Sequence, residues 1–335
     1  MTSARPASLD VVGIGNALVD VLSHESDAFV EQHGLVRGAM SLIDADRAEH
    51  LYEAMGPAIE ISGGSAANTM VGVTSLGGTA AFVGRVRDDQ LGDVFAHDIR
   101  AAGVQFETQP AADGMASGRC LIVVTPDAER TLNTFLGAAA EIGPDDVSQG
   151  LIGAAQVTYL EGYLFDQPSA KDAFRHAAHL AHDAGRRVAL TLSDGFCVDR
   201  HRDDFHALVE HDVDVLFANE NEICSLYEVD AFDDALQNVL HHCEIAALTR
   251  SAKGSVIVSG DDVHVIDAHP VDGAVVDTTG AGDLYAAGFL YGLTHGYDLG
   301  TCGRLGALSA AEVIAHMGAR PEVSLAELAA PLLGS

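Results

Sequence analysis

Lysine is almost missing from this sequence. Lys171 and Lys253 stand in 335 residues where Lys plus Arg number 18 against 49 Asp plus Glu, a formal net charge of −31. A P-loop needs lysine within G-x-x-x-x-G-K-[ST], and neither copy has that setting, which excludes a Walker-type phosphate site. A negative field of this strength repels phosphate backbones and anionic lipid, which argues against nucleic-acid and membrane partners. Long apolar runs are missing too: no stretch reaches 18 residues, so no transmembrane helix is expected. The opening MTSARPASLD lacks the apolar segment of a signal peptide. Cys120, Cys197, Cys224, Cys243 and Cys302 are odd in number and widely spaced, with no C-x-x-C, so neither a disulfide framework nor a zinc ribbon is indicated. The expectation is a soluble, reduced, cytoplasmic protein.

What is present is apolar residue in quantity. At 48% hydrophobic the chain can build a large core, unlike a disordered acidic tail, and its length suits one α/β domain over 1–335. Near-continuous apolar runs at 11–16, 79–86, 157–163, 187–193, 213–220, 245–251 and 255–260 alternate with amphipathic stretches such as 170–184. That rhythm predicts a mostly parallel sheet covered by helices on both faces. The run 11–21, broken by Asn16 and Asp20, reads as one strand and a turn. Segments 39–43 and 119–135 instead alternate apolar with polar, the second as a hairpin turning at Pro126-Asp127. They predict a small β-sheet lid, drawn from 35–45 and 105–136.

Several glycine motifs can be weighed by their chemistry. Gly13-Ile14-Gly15 after a strand suggests a dinucleotide fingerprint, but the third glycine is replaced by Leu18. No G-x-S-x-G elbow is present, so a serine hydrolase of that type has no nucleophile. Gly63-Gly64-Ser65-Ala66-Ala67-Asn68 would let backbone approach a ligand closely, or would serve only as a strand-to-helix turn. Asp277-Thr278-Thr279-Gly280-Ala281-Gly282-Asp283 is more telling. Gly-Ala-Gly at a helix start leaves amide N–H groups aimed at an anion. An acid in the first turn could merely complement the helix dipole, yet a cap does not require Gly-Ala-Gly before it. An anion cradle beside a carboxylate suits phosphoryl transfer to a hydroxyl.

These two segments, with Gly77-Gly78, Phe82-Val83-Gly84-Arg85-Val86, Asp88-Asp89 and Gly92, resemble the ribokinase-like (phosphofructokinase-B-type) sugar and nucleoside kinases from residue 10 to 321, most closely the adenosine kinase branch. The resemblance implies a three-layer α/β/α fold with a β-sheet lid, and ATP and Mg2+ as cofactors. It makes Asp283 the general base and Gly280, Ala281 and Gly282 the anion hole. Asp20 would accept from vicinal sugar hydroxyls, with Asn16, Gly63, Gly64 and Asn68 beside it, and Arg130 would reach the transferring phosphoryl group. Asn219 and Glu222 match an N-x-x-E motif that organises magnesium through water and the ATP phosphates; Glu222 keeps the spacing, while Glu220 is the neighbouring acid. Thr249 and Gly254 match nucleotide contacts in T-x-G-x-x-G, with Ser251 in place of the first glycine. Some members bind potassium near Asp277 and Thr279, which makes K+ a further candidate. Members occur as monomers and as homodimers.

Two histidine groups compete for attention. His176, His179 and His182 share one side of an expected helix, and His241-His242-Cys243 are adjacent; a metal is conceivable, but solvent-facing histidine is the simpler reading. For the acceptor, Met40, Leu132, Phe135, Tyr163 and Phe165 gather near the expected site in place of extra cationic or amide groups. An apolar lid suits a purine over a ribose, so adenosine is the first expectation and a sugar kinase (ribose, fructose or 2-keto-3-deoxygluconate) the second.

Overall fold

The computed structural model describes residues 7–334 except 128, 241 and 272. Its strands, in chain order, are β1 (Leu9–Ile14), β2 (Leu18–His24), β3 (Met40–Leu42), β4 (Ala58–Gly63), β5 (Ala80–Val83), β6 (Gln105–Phe106), β7 (Gly118–Val124), β8 (Arg130–Phe135), β9 (Ala155–Glu161), β10 (Arg187–Thr191), β11 (Val215–Asn219), β12 (Ile245–Thr249), β13 (Ser255–Ser259) and β14 (Asp262–Ile266).

All seven apolar runs become strands of one nine-stranded sheet, in the order β14-β13-β12-β11-β10-β9-β1-β5-β6. Pairing is parallel from β6 to β12 and antiparallel in the β12-β13-β14 meander. The runs are continuous because both faces are buried. Val11 packs on one side with Phe82, Leu284 and Phe289, while its neighbour Val12 packs on the other with Leu160, Phe174 and Phe205. Helices on both faces cover the sheet, completing a ribokinase-like α/β fold.

A second sheet of five strands runs β3-β8-β7-β2-β4. It contains the expected strand at 39–43 and the expected hairpin, whose arms pair antiparallel from Arg119–Phe135 to Val124–Arg130. Two further members escaped the sequence reading. The run 11–21 is not one strand and a turn: after β1 the chain leaves the large sheet at residues 15–17 and enters the small one as β2. β4 then pairs antiparallel with β2, Asp20 opposite Ile61. Within 105–136, β6 pairs with β5 at the edge of the large sheet. No helix among the described residues is long and apolar enough to cross a membrane.

Candidate active site

The carboxyl ends of β1, β9, β10, β11 and β12 open into one cleft of about 1550 Å3, roofed by the small sheet. In open α/β sheets that edge is where ligands bind. Many helices carry a side-chain cap, among them those begun by Asp89, Asp194, Asn219 and Asp298. The helices Ser65–Ser75 and Ala281–Thr294 begin instead on Gly64 and Gly280 with no side-chain cap, so their first amides are left to other acceptors.

Gly280 adopts φ 78°, and a Cβ there would lie 2.7 Å from the Ala319 backbone. Its lack of a side chain is therefore dictated by packing. The Ala281 N–H donates to the Thr278 carbonyl (3.2 Å), whereas a Cβ on Gly282 would meet nothing within 4 Å, so that backbone is open to the cleft. One residue on, the Asp283 carboxylate accepts from Ser65 Oγ (2.6 Å) and Asn68 Nδ2 (3.2 Å). Burial pushes its pKa up to about 6 against those two donors. The glycine-rich turn and the GGSAAN segment, far apart in sequence, thus meet at this carboxylate.

Asp20 projects from β2 against Gly63, where a Cβ would lie 2.4 Å from its Oδ2. Gly64, at φ 100°, passes so close to Asn16 that a Cβ would sit 2.1 Å from the Asn16 carbonyl oxygen. Both glycines are thus required by close approach. Burial raises Asp20 to about 6, opposed by the charges of Arg320 and Arg130. Asn16, 2% exposed, lies at the end of β1 and donates through Nδ2 to Glu161 (2.8 Å). Glu161 also accepts from the Ala66 N–H (2.8 Å), and burial lifts it to about 7. Glu161 was not among the expected site residues.

Arg130, from β8, is ion-paired with Asp277 and reaches Thr279 Oγ1 (3.4 Å). The same Asp277 carboxylate accepts from Thr279 N–H (2.9 Å), Thr279 Oγ1 (2.7 Å) and the Gly318 N–H (3.1 Å). Burial would raise Asp277, but these donors and the guanidinium outweigh it and hold the carboxyl below its ordinary value. Its oxygens face donors of its own chain.

Across the cleft, Asn219 and Glu222 form a reciprocal capping box. The Asn219 N–H donates to Glu222 Oε2 (2.8 Å), and the Glu222 N–H donates to Asn219 Oδ1 (2.9 Å). Glu222 is 5% exposed and raised to about 7 by burial, with Asp194 adding in the same direction. Glu220 instead pairs with Arg250 (3.0 Å) and Lys253 (3.3 Å). Thr249 and Gly254 line the cleft beside them. Ser251, standing where the resembling pattern has glycine, is held at φ 50°, so the backbone keeps a glycine-like shape with a side chain on it.

The apolar part of the roof is Leu18, Met40, Leu42, Ile122, Leu132 and Leu136, with Tyr163 at the wall. Two expected aromatic contacts are corrected. Phe135 does not line the cleft: Leu132, Thr134 and Leu136 do, and alternation along the strand turns Phe135 to the other side, where it is buried. Phe165 is buried behind the wall, stacked on Phe205 at 4.3 Å. Phe196, 79% exposed at the rim, was missed. His176, His179 and His182 lie on the exposed face of the helix Pro168–Asp183, and His241 is outside the described residues. Among the described residues no group of three or more His, Cys, Asp or Glu could hold a metal.

An open α/β sheet, a small sheet roofing its strand ends and a carboxylate at an uncapped glycine-rich helix start together describe a ribokinase-like, ATP-dependent phosphotransferase. Residues 57–325 match the pattern of the pfkB family carbohydrate kinases, and the chain belongs to that family. It is 52% identical to the adenosine kinase of Sinorhizobium meliloti, over 97% of this chain and 100% of that one, with a TM-score of 0.89. A probable sugar kinase of Rhizobium etli CFN 42 is 50% identical, over 98% and 99%, with a TM-score of 0.90. The adenosine kinase of Saccharomyces cerevisiae is 26% identical over 329 residues, 92% of this chain and 95% of its own. Kinases of this family bind a small-molecule acceptor and ATP, and generally require Mg2+.

Proposed function

We propose that the protein transfers the γ-phosphoryl group of ATP to the 5′-hydroxyl of a purine nucleoside, adenosine first. The observation that carries this is the chemistry of the roof. Leu18, Met40, Leu42, Ile122, Leu132 and Leu136 present hydrocarbon where a free sugar would need partners for additional hydroxyls. The single cation among the roof strands' lining residues, Arg130, is already paired with Asp277. The similarity to proteins named adenosine kinase supports the same reading. The similarity to a probable sugar kinase favours the second reading, a free-sugar acceptor.

In this reading Asp20, Asn16, Gly64 and Asn68 hold the ribose, with Gly63 giving Asp20 its place. Asp283 takes the 5′-hydroxyl proton, and Gly280, Ala281 and Gly282 form the anion hole that steadies the charge developing on the phosphoryl group. Arg130 exchanges Asp277 for that group when ATP arrives. Asn219, Thr249 and Gly254 hold the nucleotide. Glu222, with both oxygens turned to Asn219, would hold Mg2+ through its water shell; the ion supplies neutralisation of phosphate charge. The roof excludes water, which otherwise competes as acceptor.

A phosphoryl-acceptor panel of adenosine, inosine, guanosine, ribose, fructose and 2-keto-3-deoxygluconate tests the assignment. Adenosine should give the highest kcat/KM. Turnover of the free sugars alone would overturn it.

A further inference from the structure

Arg320 lies outside every motif discussed above and outside the lining of the cleft, yet its guanidinium is largely buried and every nitrogen is used. Nε donates to Asn68 Oδ1 (3.3 Å), Nη1 to Asp98 Oδ2 (3.0 Å) and Nη2 to Ser62 Oγ (2.6 Å). Asp98 in turn accepts from the Ser62 N–H (2.8 Å) and Ser62 Oγ (2.6 Å). One side chain therefore joins the segment after the helix Leu299–Val313 to β4, to the helix Gln90–Ala101 and to the helix Ser65–Ser75.

The contact with Asn68 has a direction. A guanidinium has donors and no acceptor, so it binds only the oxygen end of an amide. That leaves the nitrogen end of Asn68 for Asp283, where Nδ2 donates at 3.2 Å. A reversed amide would place Oδ1 against the carboxylate and two sets of donors against each other. We infer that Arg320 is a positioning residue of the phosphoryl-transfer site: by capturing Asn68 Oδ1 it fixes the amide in the orientation that donates to the Asp283 carboxylate, and so holds that group ionised and aimed. The inference rests on the kinase reading of Asp283.

The groups around the pair set the sign of the effect. Ser65 and Asn68 donate to Asp283, while Asp20 and Glu161 bring negative charge near it. Arg320 is also the leading positive neighbour of Asp20, with Arg130 second. Loss of Arg320 frees Asn68 to turn, which favours the protonated Asp283 carboxyl, and removes positive charge from beside Asp20, which favours the protonated form there. The acid limb of activity then moves to higher pH.

The test is the series Arg320→Lys, Arg320→Gln and Arg320→Met, assayed for kcat, KM and the pH profile of kcat/KM. Lysine keeps charge and donors, glutamine keeps a donor, and methionine keeps neither. The acid limb should move up in that order, by about half a pH unit or more for methionine, with kcat reduced about tenfold and lysine closest to wild type. Any two folded members establish the ranking. In an Asn68→Ala background the same Arg320 change should shift the Asp283 limb little further, since its route is gone. Asp98→Asn, which disturbs the anchor and not the amide, should cost stability without raising the limb. Folded, active variants that all keep the wild-type limb would overturn the inference. A wild-type protein inactive with every nucleoside and sugar would instead overturn the functional reading.

Discussion

Arg130 and Asp277 form an ion pair between the roof strand β8 and the residues that lead into the glycine-rich turn, with both side chains only 9% exposed. Breaking such a pair from one side leaves a poorly solvated charge behind. Asp277→Asn should therefore destabilise the protein by about 3 kcal/mol. Added ATP should raise its melting temperature more than it raises that of wild type, because phosphate offers the stranded guanidinium a new partner. Arg130→Gln should lower kcat about 100-fold while KM for the acceptor changes only a few-fold. Thermal melts with and without ATP, beside steady-state kinetics, check both.

Asp283→Asn should reduce kcat by roughly 10²–10⁴ and leave ATP affinity near wild type, as read by calorimetry and initial rates. Wild-type turnover in that variant would remove Asp283 as the base.

The two carboxyls that the proposed reaction needs ionised, Asp20 and Asp283, are each raised to about 6. The profile of kcat/KM should accordingly fall below pH 6 with a slope steeper than one proton. Asp20→Asn, assayed over pH 5–8, should reduce that slope toward one, at the expense of a higher KM.

The same groups set the pH dependence of stability. Asp20, Asp283, Glu161 and Glu222 have folded-state pKa values near 6 to 7, above their ordinary values of 3.8 and 4.5. Between about pH 4 and 7 the folded state thus binds more protons than the unfolded one, and stability falls as pH rises through that window. Asp98 and Asp277, held below the ordinary range, act oppositely and withdraw their support under more acidic conditions. The ligand-free protein should melt highest near pH 5 and several degrees lower at pH 8, measured by scanning calorimetry. A melting temperature that climbs steadily to pH 8 contradicts the raised carboxyls.

Gly280 and Gly282 separate folding from binding. Gly280→Ala places a methyl on the Ala319 backbone at φ 78° and should cost at least about 1–2 kcal/mol. Gly282→Ala meets nothing within 4 Å, so its melting temperature should stay close to wild type. Its kcat/KM for ATP should drop tenfold or more, because the methyl would stand in the proposed anion hole. Equal effects of the two changes on stability would contradict this geometry.

How far the sequence speaks depends on whether a residue's partners are local. The DTTGAGD turn was legible because its main features are local, φ 78° at Gly280 and an acid in the first turn of the helix, although the Ala319 contact that also demands glycine is not. The large sheet was legible because two buried faces leave no alternation, as at Val11 and Val12. β4 carried a usable signal, the Ile59-Glu60-Ile61 alternation, in a short stretch overshadowed by the glycines after it. Phe135 was misassigned through strand parity, which one residue of register inverts. Glu161 could have been found, since a single acid closing an apolar run demands buried partners. Arg320 could not: its partners lie 222, 252 and 258 residues away, and nothing beside it in the chain hints at them.

The three-residue passage at 15–17 has a mechanical meaning. β1 is bolted into the large sheet and β2 into the small one, and β4 rejoins the floor of the cleft through Gly64 directly into the helix Ser65–Ser75. The roof is hung along that edge like a door on its jamb. Any rotation about that edge would displace Asn16 and Gly64 least and the outer strand β3 most, where Met40 and Leu42 are 49% and 55% exposed. In the proposed reaction an acceptor would be gripped at the jamb, beside Asn16 and Gly64, and the free edge of the door, latched through Arg130 to Asp277, would close over it.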